Sequence, residues 1–198
     1  MTCVFNVCVF CGSTPGTNPA FVASAGQLGK ALAGAGLGLV YGGGGVGVMG
    51  AVSDGALRGG GQVTGVIPTA MMEREWGRTD ITDLRVVASM HERKALMYDL
   101  SQAFVTLPGG LGTFDEFFET VTWTKLGYHD KPSLVLDIDG YYTPLRTLLD
   151  HALQSGFFTY GDVNLIRFYD DVDSLVAELI RLAGGVESRS AGGVSPNP

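Results

Sequence analysis

Leu107-Pro108-Gly109-Gly110-Leu111-Gly112-Thr113-Phe114-Asp115-Glu116 brings together the residue types from which an anion site with a neighbouring acid can be built. An apolar run over 103–107 precedes the turn and reads as a buried strand. Apolar residues at 114, 117, 118, 121 and 126 follow with the spacing of an amphipathic helix. A strand ending in a glycine-rich turn that feeds a helix leaves backbone N–H groups unpaired at the positive end of the helix dipole, and that end attracts phosphate. Glu116 falls in the first turn of the expected helix, a carboxylate beside the anion. Thr113-x-x-Glu116 also fits a capping box, in which both side chains satisfy donors at the helix start. The four glycines and prolines just ahead exceed what a cap requires, and cap and cradle are compatible.

A second constellation is Ser89-Met90-His91-Glu92-Arg93-Lys94. Ser89-x-x-Glu92 reads as a capping box, which makes Glu92 structural. Arg93 and Lys94 then stand in the first turns of a helix, where the dipole disfavours cations, so a resident anion is expected to compensate them. Gly45-x-Gly47-x-x-Gly50 matches the dinucleotide fingerprint, but the next strand ends Gly65-Val66-Ile67-Pro68 and the first acid is Glu73. A dinucleotide site wants that acid at the strand end to hold ribose hydroxyls, so NAD is disfavoured. Gly112-Thr113 lacks the preceding lysine of a P-loop. A glycine loop without these partners suits a mononucleotide or a sugar phosphate. Cys3, Cys8 and Cys11 lie in one apolar segment, where residues three apart on a strand face opposite ways, and they read as buried thiols. His91, His129 and His151 fall in no metal-ligand spacing. Neither a metal nor a cofactor is expected.

The elements that must position these residues follow from hydrophobic patterning. Strands are expected over 5–10, 37–41, 63–67, 84–87, 103–107 and 133–137, and helices over 19–35, 47–58, 89–101, 113–126, 144–155 and 173–183. Continuous apolar strands alternating with helices imply an α/β fold, a Rossmann-like three-layer sandwich with a central parallel sheet and helices on both faces. Residues 1–183 read as a single nucleotide-binding domain, and the Gly-, Ser- and Pro-rich stretch 184–198 as a disordered tail. Ligands of such sheets bind at the carboxyl ends of the strands. Three glycine-bearing turns emerge there: 11–14, 41–47 and 108–110.

The 198 residues, with 45% hydrophobic and 17% charged, describe one globular domain. Glycine is in excess at 30 residues, clustered in turns without a period. A formal net charge of −7 argues against nucleic acid as the main partner, because a phosphate backbone requires clustered Lys and Arg. No run of 18 apolar residues spans a membrane and no signal peptide is recognisable, so a cytoplasmic location is expected.

Taken together, these motifs resemble the Lonely Guy family, cytokinin riboside 5′-monophosphate phosphoribohydrolases often labelled "possible lysine decarboxylase". The family pattern PGGxGTxxE is met by Pro108, Gly109, Gly110, Gly112, Thr113 and Glu116, and its upstream glycine motif by residues 42–50. Met90-His91-Glu92-Arg93-Lys94, Cys11-Gly12-Ser13, Gly127-Tyr128-His129-Asp130-Lys131-Pro132 and Asp139-Gly140-Tyr141-Tyr142 match further blocks, and the resemblance runs from about Val7 to Leu182. It implies hydrolysis of the N-glycosidic bond of an adenine-type nucleoside 5′-monophosphate, with Arg93 and Glu116 as catalytic residues. It also implies a substrate site formed by Ser13, Gly43, Gly44, Glu75, Arg93, Lys94, Gly109, Gly110, Leu111, Gly112, Thr113, Phe114, Asp115, Glu116 and Thr122, and a homodimer. Asp115 stands where the family commonly has glutamate, Phe114 where leucine is common, and Tyr128 where an aliphatic is usual. The opposing reading is a non-catalytic nucleotide sensor or carrier of related fold. Such a module needs the glycine cradle but not the pairing of Arg93 with Glu116.

Overall fold

Every backbone polar group in a sheet covered on both faces must be paired within the sheet, and the strands here are apolar enough to accept that burial. The computed structural model describes residues 4–72 and 77–191, with side chains to Gly185. Its elements in chain order are β1 (Asn6–Phe10), α1 (Pro19–Gly34), β2 (Gly38–Tyr41), α2 (Gly47–Arg58), β3 (Val63–Pro68), α3 (Thr69–Met72) and β4 (Asp83–Val87). They continue with α4 (Met90–Asp99), β5 (Ala103–Thr106), α5 (Leu111–Lys125), β6 (Ser133–Leu136), a 3-10 turn (Ile138–Gly140), α6 (Thr143–Gln154), α7 (Tyr160–Val163), β7 (Ile166–Tyr169) and α8 (Val172–Ala191).

All seven strands are parallel, in the order β4-β3-β2-β1-β5-β6-β7. β1, β2, β5 and β6 are buried almost throughout. The chain winds outward from β1 to β4, then returns to place β5 on the other side of β1. The switch point therefore lies between β1 and β5, where the loops leave in opposite directions and open a crevice.

One helical layer is α1, α2 and α8, whose Leu28, Leu32, Val52, Leu175 and Leu179 share a core with the strands. The other contains α4 and α5, packed through Met97, Tyr98 and Phe117. α1 begins at Pro19 because Asn18 caps it, its Oδ1 accepting the Ala20 N–H at 2.9 Å. α1 and α2 approach so closely that a Cβ on Gly29 would stand 2.0 Å from the Val52 carbonyl oxygen, and one on Gly55 2.1 Å from that of Gly26.

The expected α/β three-layer architecture is present, with differences at its lesser elements and helix ends. β7 and the short α3 and α7 had no expectation in the sequence. β7 (Ile-Arg-Phe-Tyr) is an edge strand, half-buried, with too little periodicity to announce itself. Finally, α8 continues through Ala191, so residues 184–191 form helix rather than the start of a disordered tail. The residues beyond 191 lie outside the described chain.

Candidate active site

The loops after β1, β2 and β5 and the first turn of α5 enclose a cavity of about 610 Å³ at the switch point. That size suits a small-molecule ligand. The loop from β1 touches the turn after β5 directly: Gly12 N–H donates to the Pro108 carbonyl at 3.1 Å, and a Cβ on Gly12 would lie 3.2 Å from Gly109 Cα. The glycines here are needed for that approach.

α5 starts two residues earlier than the helix expected over 113–126, at Leu111, with Gly110 as N-cap and no side-chain cap. Thr113 is therefore the third helical residue and Glu116 the sixth, one turn deeper than expected. The capping box read into Thr113 and Glu116 does not form. Both side chains are buried instead. The first N–H groups of α5 have no intrahelical acceptor, and Gly110, Leu111 and Gly112 line the cavity, a geometry able to receive an anion.

The glycine run after β2 does different work. The N–H groups of Val48 and Met49 at the start of α2 already donate to Thr14 O and Gly12 O, at 3.4 and 3.0 Å. Gly47 has φ +64°, and a Cβ there would sit 2.5 Å from the Ser13 carbonyl. This segment thus braces the β1 loop rather than offering its helix start to a ligand.

Arg93 and Glu116 meet at the cavity wall. Both are buried, and Arg93 Nη1 lies 3.2 Å from Glu116 Oε1. The guanidinium is anchored from behind, with Nε donating to Val66 O at 3.0 Å and Nη2 to Gly42 O at 3.5 Å. A Cβ on Gly42 would clash with that Nη2 at 2.0 Å, which explains the glycine. The Glu116 carboxyl is pushed up to about 7, foremost by burial and further by Asp115, against the opposing pull of Arg93 and Lys94. Cys11 also lines the cavity; burial, then Glu116, push its thiol far up, so it is a neutral wall residue. Ser89 caps α4, accepting from Glu92 N–H at 3.2 Å, while Glu92 reaches back to Ala88 N–H at 2.9 Å, a structural role as expected.

Of the expected substrate residues, Ser13, Gly44, Arg93, Gly110, Leu111, Gly112, Thr113 and Glu116 line this cavity. Gly43 does not; it turns at φ +78° against Ile67 and gives its carbonyl to Arg78 N–H. Gly109 is packed on Thr113, where a Cβ would lie 2.1 Å from Oγ1. Lys94 points away, bound to Asp115 at 3.0 Å and Glu119 at 3.1 Å, and Glu119 also accepts from Tyr98 Oη at 2.6 Å. Burial works against the Lys94 charge, but these two acids outweigh it and raise its pKa. Phe114 packs on Tyr142, Asp115 is on the outer side of α5, and Thr122 is exposed on the same helix, bonded to Phe118 O. Glu75 lies outside the described residues.

The sequence reading placed the turns 11–14 and 41–47 at the ligand end of the sheet without singling out Thr14, Gly42 or Val46, and it missed Met49, Ile67 and Met90 as lining residues. Ile67 stands near the carboxyl end of β3, so the ligand rule for parallel sheets could have found it too. The methionines carry no such signal. Val46, Met49, Ile67, Met71 and Met90 give the cavity its apolar lining, and Met90 Sδ stands 4.0 Å from Arg93 Nη1, so apolar and charged groups adjoin there. Among the described residues no group of three His, Cys, Asp or Glu could hold a metal ion.

Comparisons with known proteins bear on this geometry. Residues 49–179 match the family described as possible lysine decarboxylase. A probable cytokinin riboside 5′-monophosphate phosphoribohydrolase of Oryza sativa subsp. japonica is 48% identical over 151 residues, 76% of this chain and 68% of the relative. A cytokinin riboside 5′-monophosphate phosphoribohydrolase of Arabidopsis thaliana is 47% identical over 173 residues, 87% and 80% of the two chains. Among solved structures, the molybdenum cofactor binding protein of Rippkaea orientalis superposes with a TM-score of 0.69 over 91% of this chain and 98% of that one. At 22% identity that likeness speaks to the fold alone. Identity of 47–48% over three quarters or more of this chain makes it a member of the cytokinin riboside 5′-monophosphate phosphoribohydrolase family.

Proposed function

We propose that the chain hydrolyses the N-glycosidic bond of cytokinin riboside 5′-monophosphates, and of AMP, releasing the free base and ribose 5-phosphate. The observation that carries this reading is the buried Arg93–Glu116 pair beside the open amino end of α5. A nucleotide phosphate on the N–H groups of Gly110, Leu111 and Gly112 holds the sugar in the cavity, and Ser13 and Thr113 add hydroxyls at the same end. Cleavage passes through an oxocarbenium-like state with positive charge on the ribose. A fixed carboxylate in a water-poor wall stabilises that charge and orients or deprotonates the attacking water. Glu116 fills that role. A guanidinium does not give up its proton in proteins, so Arg93 steadies Glu116 and the negative charge growing on the departing purine. The methionines that line the cavity accept the base and its apolar N6-substituent, since thioethers adapt to irregular apolar shapes.

Amino-acid decarboxylation through pyridoxal phosphate would call on a lysine in the site. The four lysines are Lys30, Lys94, Lys125 and Lys131, and none lines the cavity. No described helix is long and apolar enough to cross a membrane. A cytoplasmic site of action belongs to the same proposal, supported by Cys8 and Cys11 as free buried thiols. So does a homodimer, supported by the exposed apolar stripe of α5.

The decisive experiment measures free base released from AMP and from isopentenyladenosine 5′-monophosphate, with wild type and Glu116→Gln. The expected outcome is release by wild type, faster from the prenylated nucleotide, and a fall of at least about 10²-fold in the variant, the scale of a lost general base. Tight nucleotide binding without release would favour a carrier instead.

A further inference from the structure

The glycine turn that feeds α5 has each of its carbonyls held by a different partner. Tyr142 Oη donates to Leu107 O at 2.7 Å, Gly12 N–H to Pro108 O at 3.1 Å, Tyr141 Oη to Gly109 O at 2.5 Å, and Phe114 N–H to Gly110 O at 3.0 Å. In a trans peptide the carbonyl of one residue and the N–H of the next point in opposite directions. All described peptides are trans. Fixing the Gly109 oxygen therefore aims the Gly110 N–H the other way, and Gly110 lines the cavity. The donated bond also polarises that peptide, which strengthens its N–H as a donor.

Tyr141 is itself fixed. The 3-10 turn after β6 carries Asp139 at φ 51°, tied to Asn18 Nδ2 at 2.7 Å, and Tyr142 N–H donates to Asp137 Oδ1 at 2.7 Å. The Tyr141 ring stands edge-on to Phe21 and Tyr142, with centroids 5.4 and 4.9 Å away. Its neighbour makes the same kind of bond with a different consequence. The carbonyl that Tyr142 holds precedes Pro108, which has no N–H, so that hydroxyl aims no donor.

We propose that Tyr141 is a positioning residue whose hydroxyl orients the Gly109–Gly110 peptide toward the substrate phosphate, whereas the Tyr142 hydroxyl serves stability alone. This rests on the reading that the amino end of α5 holds the phosphate. The test is calorimetric titration of ribose 5-phosphate into wild type, Tyr141→Phe and Tyr142→Phe, with thermal unfolding of each and steady-state kinetics on the nucleotide. Tyr141→Phe is expected to bind ribose 5-phosphate about five- to tenfold more weakly, the loss of one hydrogen bond's worth of alignment. Its KM should rise by a similar factor with kcat and melting temperature held. Tyr142→Phe should melt earlier while keeping its affinity for ribose 5-phosphate. Equal affinity in Tyr141→Phe and wild type, or equal weakening in both variants, overturns the assignment while the phosphate reading stands. Failure of wild type to bind ribose 5-phosphate overturns both.

Discussion

Glu116 is a carboxyl whose wall pushes it up to about 7, so near neutral pH it is divided between acid and carboxylate. The proposed chemistry uses the carboxylate. Below about 7 the working form falls tenfold per pH unit, so kcat/KM should rise with unit slope and level off above that value. Asp115, on the next residue and 59% exposed at its side chain, contributes to the upward push. Asp115→Asn removes that repulsion and leaves Lys94, whose charge also favours the carboxylate, paired with Glu119 alone. The acid limb of the pH–kcat/KM profile should then move to lower pH, by a few tenths of a unit for a charge so open to solvent. A limb that stays in place or moves up would contradict the assignment of Glu116 as the titrating group. At this scale the sequence placed Glu116 beside a glycine turn and Arg93 at a helix start in want of an anion, but it also offered Glu116 a capping box that the fold does not form. It was silent on Met49, Met90 and Ile67, since apolar residues lining a cavity look the same in a sequence as apolar residues filling a core. Lys94 was read as a cation awaiting a bound anion, but its partners Asp115 and Glu119 sit on a helix 21 and 25 positions away, and pairing across helices leaves no local signature.

Helix starts decide how these residues face. The apolar periodicity of α5 begins at Phe114, whereas its backbone turns helical at Leu111, because Gly110 and Gly112 can enter a helix without contributing to any hydrophobic stripe. That shift of three residues moved Glu116 from a cap onto the cavity wall. The other glycine-dependent element is the α1–α2 pair, where side-chain-free surfaces let two backbones touch. Gly29→Ala would drive a methyl group to 2.0 Å from Val52 O and 2.7 Å from Ala56 N, neither of which can swing aside. The helices must separate, and α2 braces the β1 loop through Val48 and Met49. A loss of about 2–3 kcal/mol in unfolding free energy is expected from such overpacking, read as a lower urea midpoint. An unchanged midpoint would mean that α1 and α2 are not held at the separation described. In sequence these glycines look like ordinary helix-weakening residues, since close approach is a property of two helices at once.

Across the whole molecule, the alternation of apolar strands and helices was enough to expect a parallel sheet, but not its order; β1 beside β5 is set by the return of the chain across the sheet. That arrangement leaves α5 outermost along one stripe. Leu111 and Leu126 are 87% and 62% exposed, and Phe118 and Thr122 lie on the same stripe between them. Phe117, one position away from Phe118, is buried in the protomer and takes no part in this stripe. Exposed apolar residues along one helix face suit an interface, and Leu111 both belongs to this stripe and lines the cavity. A second copy of the chain across the stripe would border the substrate site and bring Thr122 next to it. Sedimentation velocity should therefore find a dimer at micromolar concentration, and Leu126→Asp, at the far end of the stripe from the cavity, should shift it toward monomer. A fall in base release that tracks the fraction of monomer would tie the interface to the site. A wild-type chain that sediments as a monomer would remove the dimer from the proposal and leave the Arg93–Glu116 chemistry to a single protomer.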